Sequence, residues 1–319
     1  MAADAEARFQ PPRPLDLDLT LAALGSSPSL RHDGGAIWRA TRTPLGAATL
    51  QLEKDNGSIV ARAWGPGAEW AVAQAPVLCG EQDDDSGFIP AHPLIARLHR
   101  EIRGIRLPRT LAVFEALVPS VVLQQVTTEE ARASYRHLVM ALGEPAPGPV
   151  RLTLPPSPQV LAQTPYWSLH RFGIERRRAE VIIRAARSAK RLEEILAMDL
   201  AGAYRRMLAF PGVGPWTAAK VAMVALGDAD AVPVGDYHLP HSVGYALEGT
   251  PRSTDERMLE LLEPYRGHRA RVIRLITTAG IAAPRFGPRK PMVANSSSTR
   301  SISSRMPSPS KMRRAPAAP

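Results

Sequence analysis

The chain has 319 residues, 45% of them apolar, and a formal net charge of +10. That length can bury one large core or two domains. No apolar run is long enough to span a bilayer and no secretory leader pattern is visible, so a cytoplasmic protein without membrane association is expected. The single Cys79 excludes an internal disulfide framework and a cysteine-held iron–sulfur cluster.

Charge is unevenly spread. Residues 1–91 hold 7 Lys/Arg against 12 Asp/Glu, residues 92–283 hold 25 against 18, and residues 284–319 hold 8 against none. A basic tail alone says little. The middle stretch stays basic without it, as a nucleic-acid-facing surface requires.

In chain order, residues 1–13 read as a loose leader. Residues 15–20, alternating Leu and Asp before Thr20, have the period of a strand. Residues 21–24 read as a short helix closed by Gly25. Four short segments starting at Ala36, Ala47, Ile59 and Trp70 follow, separated by the turn signals Asp33-Gly-Gly, Asn56-Gly57 and Gly65-Pro-Gly67. They predict a small antiparallel sheet with a helix over residues 14–90. From residue 91 to 283 the pattern is helical. Predicted helices cover residues 92–103, 109–125 with an interior Pro119, 127–143 opened by a Thr127/Glu130 capping box, and 175–190. Another is capped by Ser253 and Glu256, and a last one covers 268–278. Residues 284–319, rich in Ser, Pro and Arg, predict a disordered basic tail.

Two stretches carry the chemistry. Asp199 caps a helix that Pro211-Gly212-Val213-Gly214 breaks, and Pro215 opens the next helix, where its missing N–H costs nothing. The product is a helix, a tight hairpin and a second helix, with bare backbone N–H groups facing outward as a phosphate site. Asp236 then lies in the apolar stretch Val232-Pro-Val-Gly-Asp-Tyr-His238. His238 and His241 stand beside it, but no further ligand follows at metal spacing, so they read as structural. Arg176-Arg-Arg178 reads as a solvated helix face with a smaller chance of a phosphate contact.

Together, Phe210-Pro-Gly-Val-Gly-Pro-Trp-Thr217 and Asp236 resemble the helix-hairpin-helix DNA glycosylase superfamily, from about Phe114 to Gly280. Relatives that also cut the strand carry a lysine where this chain has Trp216. The closer resemblance is therefore to the 3-methyladenine DNA glycosylase II branch, which only hydrolyses the base–sugar bond. The resemblance implies an α+β fold, with a small antiparallel-sheet N-terminal domain followed by an all-helical glycosylase domain. It implies a monomer, associated with the nucleoid, acting on double-stranded DNA that contains damaged bases.

Residue by residue, the resemblance assigns catalysis to Asp236, whose carboxylate would stabilise a cationic sugar and activate water. Trp216 and Tyr237 would form the base pocket. Phe210, Pro211, Gly212, Val213, Gly214 and Thr217 would grip the DNA backbone, and Gln124 and Gln125 would wedge into the gap left by a flipped base. The carbonyls of Leu208, Phe210 and Val213 would hold a monovalent cation; no organic cofactor is implied. Lys220 and Arg274 stand where relatives place pocket aromatics, and two cations would repel a cationic base unless they point elsewhere. Two other readings stay open: a passive DNA-binding hairpin protein, and a glycosylase for oxidised or deaminated bases.

Overall fold

The computed structural model describes residues 1–284; the expected disordered tail lies, but for its first residue, outside the described residues. Five strands build one antiparallel sheet: β1 (Ala5–Phe9), β2 (Leu30–Asp33), β3 (Ala36–Thr43), β4 (Gly46–Asp55) and β5 (Ser58–Trp64), in the order β1-β5-β4-β3-β2. Asn56, at positive φ, and Gly57 make the turn between β4 and β5, as an Asn-Gly pair should. Helices α1 (Leu17–Leu21) and α2 (Ala68–Leu78) supply residues to the core on one face of the sheet, with Leu50, Leu52 and Ile59.

Three expectations for this part are corrected. Residues 1–13 are not a loose leader, because Ala5, Ala7 and Phe9 turn toward the core while Glu6 and Arg8 face solvent. That alternation lets β1 pair with β5 from Ala5↔Ala63 to Phe9↔Ile59. The Leu/Asp run is helical rather than a strand. Asp16 caps it by accepting the Leu19 N–H at 2.9 Å, and Leu17, Thr20 and Leu21 share its buried face. The segment at Trp70 lies inside α2, where Ala68, Ala71, Val72 and Ala75 recur at helical spacing.

The remaining helices are α3 (Pro93–Glu101), α4 (Val113–Val122), α5 (Thr128–Leu142), α6 (Pro158–Gln163), α7 (Arg176–Arg187), α8 (Ala189–Glu193), α9 (Leu200–Leu208), α10 (Pro215–Val221), α11 (Leu239–Glu248), α12 (Asp255–Leu262) and α13 (Arg269–Thr278). Thr127 and Glu130 form the expected capping box of α5, and Pro119 lies inside α4. Thr254, not Ser253, caps α12 by accepting from the Arg257 N–H. One core runs through α4, α7 and α10, around Val121, Ile182 and Ala218. A second joins α3, α11, α12 and α13 around Val243, Met258 and Val272. Among the described residues, no helix is long and apolar enough to cross a membrane.

Polar bonds cross the expected boundary near residue 90. Arg39 pairs with Glu115 at 2.8 Å, and Thr41 donates to the same carboxylate at 2.7 Å. Gln74 donates to the Arg109 carbonyl at 2.7 Å. The deepest contact is Arg271 on Asp83, with bonds of 2.6 and 3.0 Å between side chains only 5% and 1% exposed. Removing one partner of a buried pair strands the other charge. Arg271→Met should therefore lower the unfolding free energy by about 3–5 kcal/mol in urea. Asp83→Leu combined with Arg271→Met should recover only part of that loss, because the Leu107 N–H also donates to Asp83 at 3.1 Å, and a single variant with an unchanged midpoint would contradict the assignment.

Candidate DNA-binding and catalytic site

The hairpin forms as its sequence dictates. Asp199 caps α9 by accepting the Gly202 N–H at 2.8 Å. After Leu208 the chain tightens: Phe210 N–H bonds the Met207 carbonyl, and Val213 N–H bonds the Phe210 carbonyl, both at 3.0 Å. Gly212 takes φ +94, a conformation that only glycine adopts cheaply. Pro215 then opens α10. Phe210 and Val213 pack against the helical core, so they anchor the turn from inside. Pro211, Gly212 and Gly214 are exposed.

Three side chains brace this turn. Gln124 donates to the Gly212 carbonyl at 3.1 Å and to the Thr217 hydroxyl at 2.9 Å. Thr217 is 2% exposed, so its side chain supports the hairpin and does not reach its outer surface. Arg184 of α7 donates to the Pro211 carbonyl at 3.0 Å. The two expected wedge residues thus part ways. Gln124 is a strut, whereas Gln125 is exposed and holds φ +57, a strained conformation for a residue with a Cβ. Arg178 also departs from expectation: it is buried and donates to the carbonyls of Val122 and Gly173 at 2.7 and 3.1 Å. Sequence reading missed these braces because an arginine that caps a helix end is indistinguishable in sequence from a solvated one.

Asp236 sits between the hairpin helix and the start of α11. Its Oδ1 accepts the N–H groups of His238 and Leu239 at 2.9 and 3.0 Å, and its Oδ2 accepts the Trp216 indole N–H at 2.9 Å. The carboxylate therefore does cap the helix, and it is also fixed on the residue that follows the hairpin. Before it, Gly235 at φ +90 donates its N–H to Asp255 at 2.9 Å, which sets the loop. Tyr237 is 80% exposed and meets His238 and His241 edge-on, at 4.8 and 6.1 Å between ring centres. It flanks the site on the solvent side and does not wall a pocket. His241 accepts the Ser253 N–H at 3.1 Å, and the described residues hold no cluster fit to bind a metal through His, Cys, Asp or Glu.

The two expected cations behave differently. Arg274 donates to the carbonyls of Leu19 and Thr20 at 2.6 and 3.2 Å, and burial pushes its guanidinium down to about 10. Lys220 is half-buried on α10, with its Nζ 5.9 Å from the centre of the Trp216 ring. Burial depresses its pKa, Asp236 opposes that and Arg274 adds to it. Two cavities, of about 340 and 320 Å³, are lined by other residues and include neither Trp216 nor Asp236.

The two hairpin glycines should respond differently to a side chain. A Cβ on Gly212 would lie 2.2 Å from Val181 Cγ2 at a positive φ, while one on Gly214 would meet nothing within 4 Å. Gly212→Ala should cost about 1–3 kcal/mol of stability, and Gly214→Ala less than about 0.5 kcal/mol. Equal losses in thermal or urea unfolding would contradict this hairpin geometry.

No family model matches the chain. A stretch of 141 residues, 43% of the chain, is 36% identical to a probable bifunctional transcriptional activator/DNA repair enzyme AlkA of Mycobacterium tuberculosis and covers 28% of it. Over 182 residues, 55% of the chain, it is 28% identical to a DNA-3-methyladenine glycosylase of Bacillus subtilis, of which the match covers 60%. The chain thus spans less than two thirds of the curated relatives it matches first. A solved structure of a 3-methyladenine DNA-glycosylase from Archaeoglobus fulgidus superposes with a TM-score of 0.74 at 21% identity, covering 85% of this chain and 97% of that one. The chain has the fold of the helix-hairpin-helix DNA glycosylases and, in sequence, is similar to their 3-methyladenine DNA glycosylase II branch.

Proposed function

We propose that this protein is a monofunctional DNA N-glycosylase, acting in the cytoplasm on nucleoid DNA, that flips an alkylated base from the duplex and hydrolyses its bond to the sugar. The observation that carries this reading is the Asp236 carboxylate, held by the Trp216 indole N–H at 2.9 Å next to the exposed glycine hairpin. A passive clamp would need that carboxylate only as the α11 cap.

The parts divide the work. Exposed backbone N–H groups at Gly212 and Gly214 would bind phosphate, a contact that sets affinity and carries no sequence information. Gln125, exposed and held at φ +57, would fill the space of the extruded base. The flipped base would rest on Trp216. An ionised carboxylate offers about four acceptor positions, and three internal donors are already directed at Asp236. A free lone pair is thus left for the attacking water, while the negative charge stabilises the sugar as the bond breaks. Neutral carbonyl oxygens suit a hard monovalent cation. Those of Leu208, Phe210 and Val213 would hold one at the hairpin, where it would screen the DNA phosphate; the Phe210 carbonyl keeps a lone pair beyond its bond from Val213. Strand cleavage would be absent, because Trp216 offers no amine to attack the sugar.

Asp236→Asn removes the charge but retains a carbonyl oxygen for the α11 cap. Single-turnover release of 3-methyladenine from duplex DNA should fall on the order of 10²–10⁴-fold. Stability should drop by about 1.5–3 kcal/mol, for the lost bond from Trp216 to a charged group, and DNA affinity should hold. Borohydride added to the wild-type reaction should trap no covalent adduct. Normal excision by the variant would leave a passive clamp as the better reading, and an adduct lost in Lys220→Ala would overturn the monofunctional assignment.

A further inference from the structure

A cavity of about 340 Å³, which includes neither Trp216 nor Asp236, is framed by the segment between β1 and α1, the end of α3 and α13. Five arginines line it, Arg13, Arg100, Arg103, Arg106 and Arg271, against one carboxylate, Asp85. Their charges are unevenly matched. Arg13 pairs with Asp85, and Arg271 with Asp83. Arg106 is buried and spends its guanidinium on the neutral carbonyls of Arg13, Pro14 and Gly80. Arg100 and Arg103 are exposed and have no ion-pair partner among the described residues. Burial lowers the pKa of Arg106 and of His99, another lining residue, and the neighbouring charges of Arg13 and Arg271 push the same way.

His99, Arg100 and Arg103 also suit the negative end of the α3 dipole. That role uses one bond, from Arg103 Nε to the Arg100 carbonyl at 3.0 Å, and leaves the other guanidinium donors of both arginines unspent. Arg271 adds an independent sign. Its Nη groups are taken by Asp83 and the Asp84 carbonyl, but its Nε is buried with no hydrogen-bond partner. A buried charged donor without an acceptor is costly, and an acceptor brought by a ligand would remove that cost.

We propose that this cavity is an anion site that takes the phosphate group of a ligand, held by Arg100, Arg103 and the Nε of Arg271. The site stands apart from the glycosylase reading. Donors from three positions suit a tetrahedral group with several oxygens better than a planar carboxylate with two, and guanidinium forks match phosphate oxygens in pairs. The volume exceeds that of one phosphate and is of the size that small molecules occupy. Ile102, Ile105 and Leu275 give the cavity an apolar wall, so the phosphate arrives on a larger body. That body is either a phosphorylated small molecule or the backbone of DNA.

The test is calorimetric titration of the full chain with inorganic pyrophosphate at fixed ionic strength. Wild-type protein should bind it saturably. Arg100→Gln combined with Arg103→Gln removes two exposed side chains and should weaken binding at least about tenfold, for the loss of charge-assisted bonds. Arg132→Gln combined with Arg136→Gln, which removes the same charge from α5, should leave binding nearly unchanged. Repeating the titration with saturating undamaged duplex separates the two sources. Binding that persists and still depends on Arg100 and Arg103 assigns the site to a small phosphorylated molecule, and binding that duplex excludes assigns it to the DNA backbone. No binding by the wild-type protein, equal binding by the Arg100/Arg103 variant, or an equal loss in the α5 variant would overturn the proposal.

Discussion

The hydrogen bond from the Trp216 indole to Asp236 joins the two halves of the site. On one side, Trp216 lies in the first turn of α10, next to the hairpin that Gly212 makes possible. On the other, Asp236 holds the first turn of α11 through the N–H groups of His238 and Leu239. The bond therefore fixes how far the hairpin lies from the carboxylate. A hydrogen bond to a carboxylate is among the stronger ones a protein makes, and its strict geometry suits it to positioning. Capping and catalysis, which compete as explanations when the sequence is read alone, are compatible here: the oxygen that caps α11 is Oδ1, and the one facing the hairpin helix is Oδ2.

Behind that bond lies a layered support. Gln124, Thr217 and Arg184 hold the turn, and Arg178 closes the end of α4 from which Gln124 and Gln125 project. Further out, Arg39 on Glu115 ties the sheet to α4, and Arg271 on Asp83 ties α13 to the turn after α2. Each is a guanidinium reaching between elements far apart in sequence, where a planar, always charged donor is useful. The basic surplus of residues 92–283 is thus partly spent inside the protein, and net charge overstates the surface left for DNA.

Much of the site was legible in the sequence because it is local. Asp199, Gly212, Pro215, Thr127 and Glu130 act on neighbours within a few residues, and the structure places them in the roles their types predict. The helix-hairpin-helix geometry follows from those few positions. Long-range placements were not legible. Thr217 and Gln124 look like surface residues until the fold brings them together, and Tyr237 looks like a pocket aromatic until it is seen 80% exposed. The strand at Ala5–Phe9 was missed because five residues of weak alternation gain meaning only from β5 beside them. The Leu/Asp run failed for a different reason: over residues 15–21, a period of two and an i, i+4 pair at Leu17 and Leu21 fit the same letters. Lys220 and Arg274 could be named as departures from the family, but only the carbonyls of Leu19 and Thr20 mark Arg274 as structural.

The central claim is that Asp236 stabilises positive charge on a sugar held by the hairpin. Its most direct test needs no turnover: the affinity of the protein for duplex DNA containing a cationic pyrrolidine abasic analogue, compared with its neutral tetrahydrofuran counterpart. The two differ chiefly in the charge on the ring, so phosphate and wedge contacts cancel in the ratio. Wild-type protein should bind the pyrrolidine duplex more tightly, on the order of tenfold or more, and Asp236→Asn should abolish that preference while keeping its grip on the tetrahydrofuran duplex. Equal affinity of the wild-type protein for both duplexes would contradict the account.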